Sequence, residues 1–168
     1  MANFNDVHDV CRNFNIHCML ADALPETRAI RQFQQAERYP IFLAYYVDSQ
    51  FNWVWDENAK VVKINRLEIH DAVHELFQKP GALILPRRNA EIEKFSKQVC
   101  NLVKVLQEDP ETGAKTFKYL KTGEDHGRHS LAYCLLASER ISLSSNQDYE
   151  RPVQRFAEGL KDYDPFNY

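Results

Sequence analysis

The feature that most constrains the fold is a strand, helix and strand pattern near the start of the chain. Residues 16–23 are rich in apolar side chains and too short for a helix, which predicts a buried strand. Pro25 then suits the first turn of a helix running to about Arg38, because its missing N–H has no partner to lose there. Residues 41–47 predict a second buried strand. Two such strands joined by one helix predict a right-handed parallel unit and an α/β fold.

Turn residues, capping residues and apolar periodicity predict the other elements. They are an opening helix at residues 4–14, a hairpin with two tryptophans at residues 53–65, a helix capped by Asn65, a short strand at residues 82–85, a helix from Asn89 to about Asn101, a hairpin at residues 104–121 and a helix at residues 124–138. Residues 1–138 are interpreted as one domain, and residues 139–168 as a tail that wraps it. The tryptophans are interpreted as covering the sheet, with an exposed contact surface as the alternative.

The composition is that of one globular domain. The 168 residues carry a net charge of −3, so any DNA site must rest on a local patch. The chain opens with neither a basic leader nor an apolar segment of membrane length, which predicts a cytoplasmic protein without a membrane partner. The four cysteines are widely spaced, so they are interpreted as small core residues rather than zinc ligands or disulfides.

Asp22 is the first candidate for chemistry. A carboxylate at the end of a buried strand stands at the sheet edge where α/β proteins place their ligands. The alternative is that Asp22 caps the helix that follows. The sequence leaves both open.

A second candidate lies at the amino end of the last predicted helix. Asp125 and His129 are four residues apart, and His126 and His129 are three apart, so each pair shares a helix face. Carboxylate and imidazole together suit Mg, Mn or Zn, with Asp22 as a third ligand from elsewhere in the fold. The alternative is that these histidines serve as surface or packing residues.

Basic residues are concentrated between Pro86 and Lys121, a segment that contains eight basic and five acidic residues. This excess can position a phosphate backbone, or it can be a solvated surface. The candidates for DNA contact are Arg87, Arg88, Lys94 and Lys97. No Gly-x-x-x-x-Gly-Lys-Ser/Thr motif occurs, so no ATP site is predicted.

The order of several short motifs resembles the carboxyl-terminal nuclease domain of phage terminase large subunits. The motifs are Met19-Leu20-Ala21-Asp22-Ala23-Leu24-Pro25-Glu26, Ala44-Tyr45-Tyr46, Trp55-Asp56, Asn65-Arg66, Leu85-Pro86-Arg87 and Asp125-His126-x-x-His129-x-x-x-Tyr133. The resemblance covers residues 18–138. It implies an RNase H-like fold, in which helices flank a mixed sheet with β-hairpin insertions. The activity that it implies is the cutting of viral DNA with two Mg or Mn ions.

By this resemblance the catalytic residues are Asp22, Asp125, His126 and His129, and the metal ligands are Asp22, Asp125 and His129. The implied partners are double-stranded DNA and other terminase or portal components. The chain departs from the family in three ways. The opening strand with the first catalytic acid is missing, His129 stands where the family usually has an Asp, and the ATPase motor is absent.

The resemblance therefore implies a domain that is weakly active or inactive alone, since removing a carboxylate from a two-metal cage weakens cation binding. One alternative is a non-catalytic remnant that binds DNA or a protein through the same scaffold. Another is a small zinc hydrolase using Asp22, His126 and His129, which would lack the general base of a His-Glu-x-x-His motif.

Overall fold

A computed structural model describes residues 5–14, 16–48 and 51–145. Its elements are α1 (Asn5–Asn13), β1 (Met19–Asp22), α2 (Thr27–Ala36), β2 (Ile41–Tyr46), β3 (Trp53–Asp56), β4 (Val61–Ile64), α3 (Arg66–Gln78), α4 (Ala90–Cys100), β5 (Leu102–Glu108), β6 (Lys115–Lys121) and α5 (His126–Ser145). Most of the predicted tail, residues 146–168, and the predicted opening-helix residue Phe4 lie outside the described residues.

The main sheet has the strand order β1-β2-β4-β3. β1 and β4 both pair with β2 in parallel, and β3 pairs with β4 as an antiparallel hairpin. The predicted parallel unit and the α/β class with a mixed sheet flanked by helices are confirmed. Within the described residues, β1 pairs with β2 alone and forms an edge of the sheet.

Strand β2 is buried on both faces because helices cover both sides of the sheet. Phe42 and Ala44 belong to a core that includes side chains of α3 and α5. Leu43 points to the opposite face and packs with Ile30 of α2. A parallel strand covered on both sides reads as a continuous apolar run rather than an alternating one, which is why residues 41–47 gave a clear signal.

Two asparagines begin helices as the sequence predicts. The Asn65 side chain accepts a hydrogen bond from the Glu68 N–H at the start of α3. The Asn89 side chain does the same for the Ile92 N–H at the start of α4. Each satisfies one of the backbone donors that a helix amino end leaves without a partner.

Helix bounds differ from prediction at two places. α2 begins at Thr27 rather than at Pro25, which follows a cis peptide bond. α5 begins at His126 and continues to Ser145, past the predicted end at Ser138, so the predicted tail begins as helix.

The strand predicted at residues 82–85 is wrong. This segment is irregular, and Ile84 is 87% exposed. Pro80 and Pro86 lie on either side of it and cannot donate to a ladder, and Gly81 has a φ of +79°. Apolar composition alone does not form a strand without a neighbour to pair with.

The interpretation of all four cysteines as core residues is wrong for two of them. Cys100 and Cys134 are exposed, while Cys18 packs against the core. All four thiols are free. The tryptophans behave as interpreted: Trp53 and Trp55 are half-buried on the face that carries the larger core.

Truncation of Phe42 to alanine tests the position of this core. Phe42 is 1% exposed and packs edge-to-face on Trp55, with ring centroids 4.9 Å apart. We expect Phe42→Ala to lower the free energy of unfolding by about 3–5 kcal/mol, measured by urea denaturation. The matched control is Val54→Ala, which truncates a side chain 50% exposed on β3 and should cost less than about 1 kcal/mol. Equal losses in the two variants would contradict this core.

Candidate functional site

The candidate site lies where the parallel strands β1 and β2 end. Asp22 is the last residue of β1 and is exposed, and Tyr46 is the last residue of β2. The two strands pair in parallel, with Asp22 opposite Ala44, so both carboxyl ends open on the same edge of the sheet. Helix α5 packs against β1 and brings its first turn to this edge.

A chain of hydrogen bonds links the end of β2 to the start of α5. The Tyr46 hydroxyl lies 2.6 Å from Nδ1 of His129. Nε2 of His129 lies 3.3 Å from one oxygen of Asp125, and the other oxygen accepts a hydrogen bond from Nζ of Lys121 at 2.6 Å. The structure thus brings together Asp125 and His129, two residues that the sequence singled out.

The pKa shifts of these groups determine which atoms carry protons. Burial raises the pKa of Tyr46 to about 12 and lowers the pKa of His129. Burial also raises the pKa of Asp125, but Lys121 and His129 lower it by more, so the net pKa lies below its ordinary value. An ionised Asp125 only accepts, so Nε2 of a neutral His129 carries the proton and Nδ1 accepts the Tyr46 hydroxyl.

Asp22 acts electrostatically on the same side chains. Burial has the largest effect on the pKa values of Tyr46, His129 and Tyr133, and the charge of Asp22 raises all three. One Asp22 oxygen accepts a hydrogen bond from the Leu24 N–H at 3.2 Å, while α2 begins without a side-chain cap. Asp22 is therefore not the cap of α2. We call Asp22, Tyr46, Asp125 and His129, which lie at this one edge of the sheet, the strand-end cluster.

His126 does not join this cluster. It is exposed at the first residue of α5, and within the part of the chain that the structure describes no contact links it to Asp125 or His129. A spacing of three residues puts two side chains on the same side of a helix but one turn apart, so His129 reaches Tyr46 while His126, one turn earlier, stays in solvent.

Sequence reasoning missed His70, the most buried polar residue near the site. It is 0% exposed in α3, stacks on Tyr46 and contacts the rings of Tyr119 and His129. Neither ring nitrogen has a hydrogen-bond partner. Its place beside Ile69 and three residues before Val73, on the apolar face of a predicted helix, was the available signal.

Buried Arg128 lies next to His70. Its guanidinium donates a hydrogen bond to the His70 carbonyl at 2.5 Å and lies over the ring of Tyr119. Tyr119 in turn donates to Asp71, which also pairs with Lys104. This network fixes α3, the second hairpin and α5 relative to one another beneath the site.

The donors present do not fit a divalent metal in their observed arrangement. Both nitrogens of His129 and both oxygens of Asp125 already have partners. No group of three His, Cys, Asp or Glu side chains placed to hold a metal occurs within residues 5–14, 16–48 and 51–145. The predicted ligand set of Asp22, Asp125 and His129 is thus gathered at one edge without forming a cage.

All four predicted DNA contacts are exposed, and they differ in their ion pairing. Arg87, Lys94 and Lys97 are exposed, whereas Arg88 is exposed but forms an ion pair with Glu93. Helix α4 is held against the start of α5 by the Gln98 side chain, which accepts a hydrogen bond from the Gly127 N–H at 3.0 Å.

A groove between α4 and the start of α5 is lined by two lysines, Lys94 and Lys97, two glutamates, Glu93 and Glu124, and the amides Gln98 and Asn101. Glu124 immediately precedes Asp125. Two of the four predicted DNA contacts therefore lie beside the residues that lead into the strand-end cluster.

Comparison of the chain with protein-family models, with curated proteins and with solved structures returns no match. Among the helices that the structure describes, none is both long and apolar enough to cross a bilayer.

The buried imidazole of His70 predicts a specific pH dependence of stability. Burial lowers the pKa of His70 to about 3, so the unfolded chain binds a proton near pH 6.5 that the folded chain does not. Stability therefore falls as pH drops from about 6.5 towards 3, by up to about 1.4 kcal/mol per pH unit. Urea denaturation over this range measures the slope.

The control separates His70 from the other titrating groups. His70→Phe keeps a buried ring and should reduce the slope, while His74→Phe, at an exposed position on the same helix, should leave it unchanged. An identical slope in wild type and His70→Phe would show that His70 is not buried in its neutral form.

Proposed function

We propose that the chain belongs to a terminase-type DNA nuclease domain with an RNase H-like sheet, and that by itself it binds duplex DNA without cutting it. The observation that carries this proposal is that the exposed Asp22 ends β1 at the edge of the sheet where Tyr46, at the end of β2, bonds His129, and His129 in turn bonds Asp125 at the start of a distant helix. The order of sequence motifs supports the same assignment. A protein with this role acts on viral DNA in the cytoplasm of the infected cell, beside other terminase or portal components.

The two acids occupy places suited to a hydrolytic site. Asp22 is exposed at the edge where parallel strands end, and Asp125 immediately precedes the amino end of α5. Ligands of open α/β sheets bind outside the carboxyl ends of the strands. A phosphate of the DNA backbone that approached this edge would meet the exposed carboxylate of Asp22.

The lack of cutting follows from the incomplete set of donors. Mg or Mn needs several oxygen ligands, and the partners of Asp125 and His129 already occupy those side chains. β1 is an edge strand of the described sheet, so its outward backbone groups are available to a further strand. We propose that such a strand, supplied by a separate polypeptide, would bring the missing acid beside Asp22.

The groove between α4 and α5 provides a path for DNA to this edge through its two lysines, while Glu93 is paired with Arg88. Lys94 and Lys97 line it, and Arg87 is exposed in the loop before α4. Contacts of this type position a duplex through its phosphates and carry no sequence preference. Because α4 is tied to the first turn of α5, a duplex in the groove would run past the strand-end cluster.

Duplex binding in EDTA tests the proposal. We expect wild-type protein to bind, and Lys97→Ala to weaken binding to all sequences and to reduce the salt slope by about one unit for the lost phosphate contact. The control is Lys63→Ala, which removes an exposed charge from β4 in the main sheet. Binding that is independent of salt, or an equal loss in both variants, would contradict DNA contact at the groove.

The position of the DNA is tested by removing the charge of Asp22. Asp22→Asn should strengthen duplex binding in EDTA severalfold, because a carboxylate without metal repels phosphate. Asp56→Asn is the matched control, since Asp56 ends β3 at the opposite edge of the sheet. Equal affinities for wild type and Asp22→Asn would favour a remnant that binds DNA or protein elsewhere on the scaffold.

A further inference from the structure

The Asp125 carboxylate is already neutralised by groups of its own chain. Its side chain is 7% exposed, and Lys121 and His129 each donate to one of its oxygens. Its backbone carbonyl accepts from the N–H groups of Arg128 and His129, so the carboxylate also lies by the positive end of α5. Because these neighbours already stabilise the ionised carboxylate, a further cation would add little stabilisation.

The turn that carries Lys121 is built to hold it in place. Lys121 is the last residue of β6, and the Thr122 N–H and hydroxyl both donate to the Asn101 carbonyl. Gly123 lies against the Asn101 side chain so closely that an added Cβ would be 2.6 Å from its amide nitrogen. The Asn101 amide donates to the Glu124 carbonyl, which fixes the turn again one residue before Asp125.

We propose that the Lys121 ammonium is the resident cation beside Asp125 and keeps divalent metal off this carboxylate. The inference deepens the proposed function, on which it rests. A divalent ion must displace the ammonium from Asp125 and shed water of its own, and Mg gives up water reluctantly.

The test compares charge removal at Lys121 with the same change at a nearby lysine. Lys121→Met keeps the aliphatic stem and removes the ammonium from a buried carboxylate. We expect it to lower the Tm by about 3–8 °C without metal. Millimolar Mn²⁺ should restore several degrees in Lys121→Met and leave wild type unchanged within about 1 °C, because only the variant exposes Asp125 to the ion.

Two further variants make the result specific. Lys115→Met removes a lysine of the same strand whose pair with Glu108 is exposed, and it should behave as wild type. Lys121→Arg keeps the charge and should also give no response to Mn²⁺. If Lys121→Met folds only when Mn²⁺ is present, that result supports the proposal as well.

Two outcomes would overturn the proposal. One is a rise in the Tm of wild type with Mn²⁺ as large as that of Lys121→Met. The other is a Lys121→Met protein whose Tm does not respond to Mn²⁺. Both are independent of DNA affinity, so the proposal can fail here while the effect of Asp22→Asn on duplex binding stands.

Discussion

The parallel pairing of β1 with β2 is the interaction on which the rest of the structure depends. It places Asp22 and Tyr46 at one edge, and it creates the apolar face on which α5 packs. Without that register, the first turn of α5 would have no strand end to meet. The position of the candidate site is therefore a consequence of core packing. Phe42, Ala44 and Tyr46 alternate along β2 and share one face, so the face that buries Phe42 and Ala44 also directs Tyr46 towards His129.

The strand-end cluster combines an exposed acid with a closed set of hydrogen bonds. Asp22 is open to solvent, while Asp125, His129 and Tyr46 satisfy one another and Lys121. Buried polar groups that are fully paired rigidify a site, and these pairings leave few lone pairs for an incoming ion. Within the described residues, the arrangement therefore presents one exposed carboxylate, that of Asp22, beside a closed set of hydrogen bonds rather than a complete metal centre.

Sequence reasoning succeeded where the signal was local. The apolar run of β2, the capping residues Asn65 and Asn89 and the turns of both hairpins each depend on a few neighbouring residues. It failed at residues 82–85, where apolar composition had no strand to pair with. It also extended the core interpretation to Cys100 and Cys134, which the packing of α4 and α5 leaves exposed.

The sequence predicted which residues form the candidate site but not which of them hydrogen-bond to one another. The four-residue spacing predicted that Asp125 and His129 lie together. No pattern in the sequence showed that Tyr46 would hydrogen-bond to one nitrogen of His129, or that Lys121 would form an ion pair with Asp125. Those contacts depend on how distant elements pack. The burial of His70 could not be predicted for a related reason. A histidine on an apolar helix face can be buried in the core or can extend into solvent, and tertiary packing decides between the two.

The central claim is that Asp22 and His129 belong to one site, and NMR titration of the histidine side chains measures this most directly. The charge of Asp22 raises the pKa of His129, so Asp22→Asn should lower the His129 pKa further, whereas Asp56→Asn, at the opposite edge of the sheet, should leave it unchanged. A His129 pKa that does not move in Asp22→Asn would contradict the account.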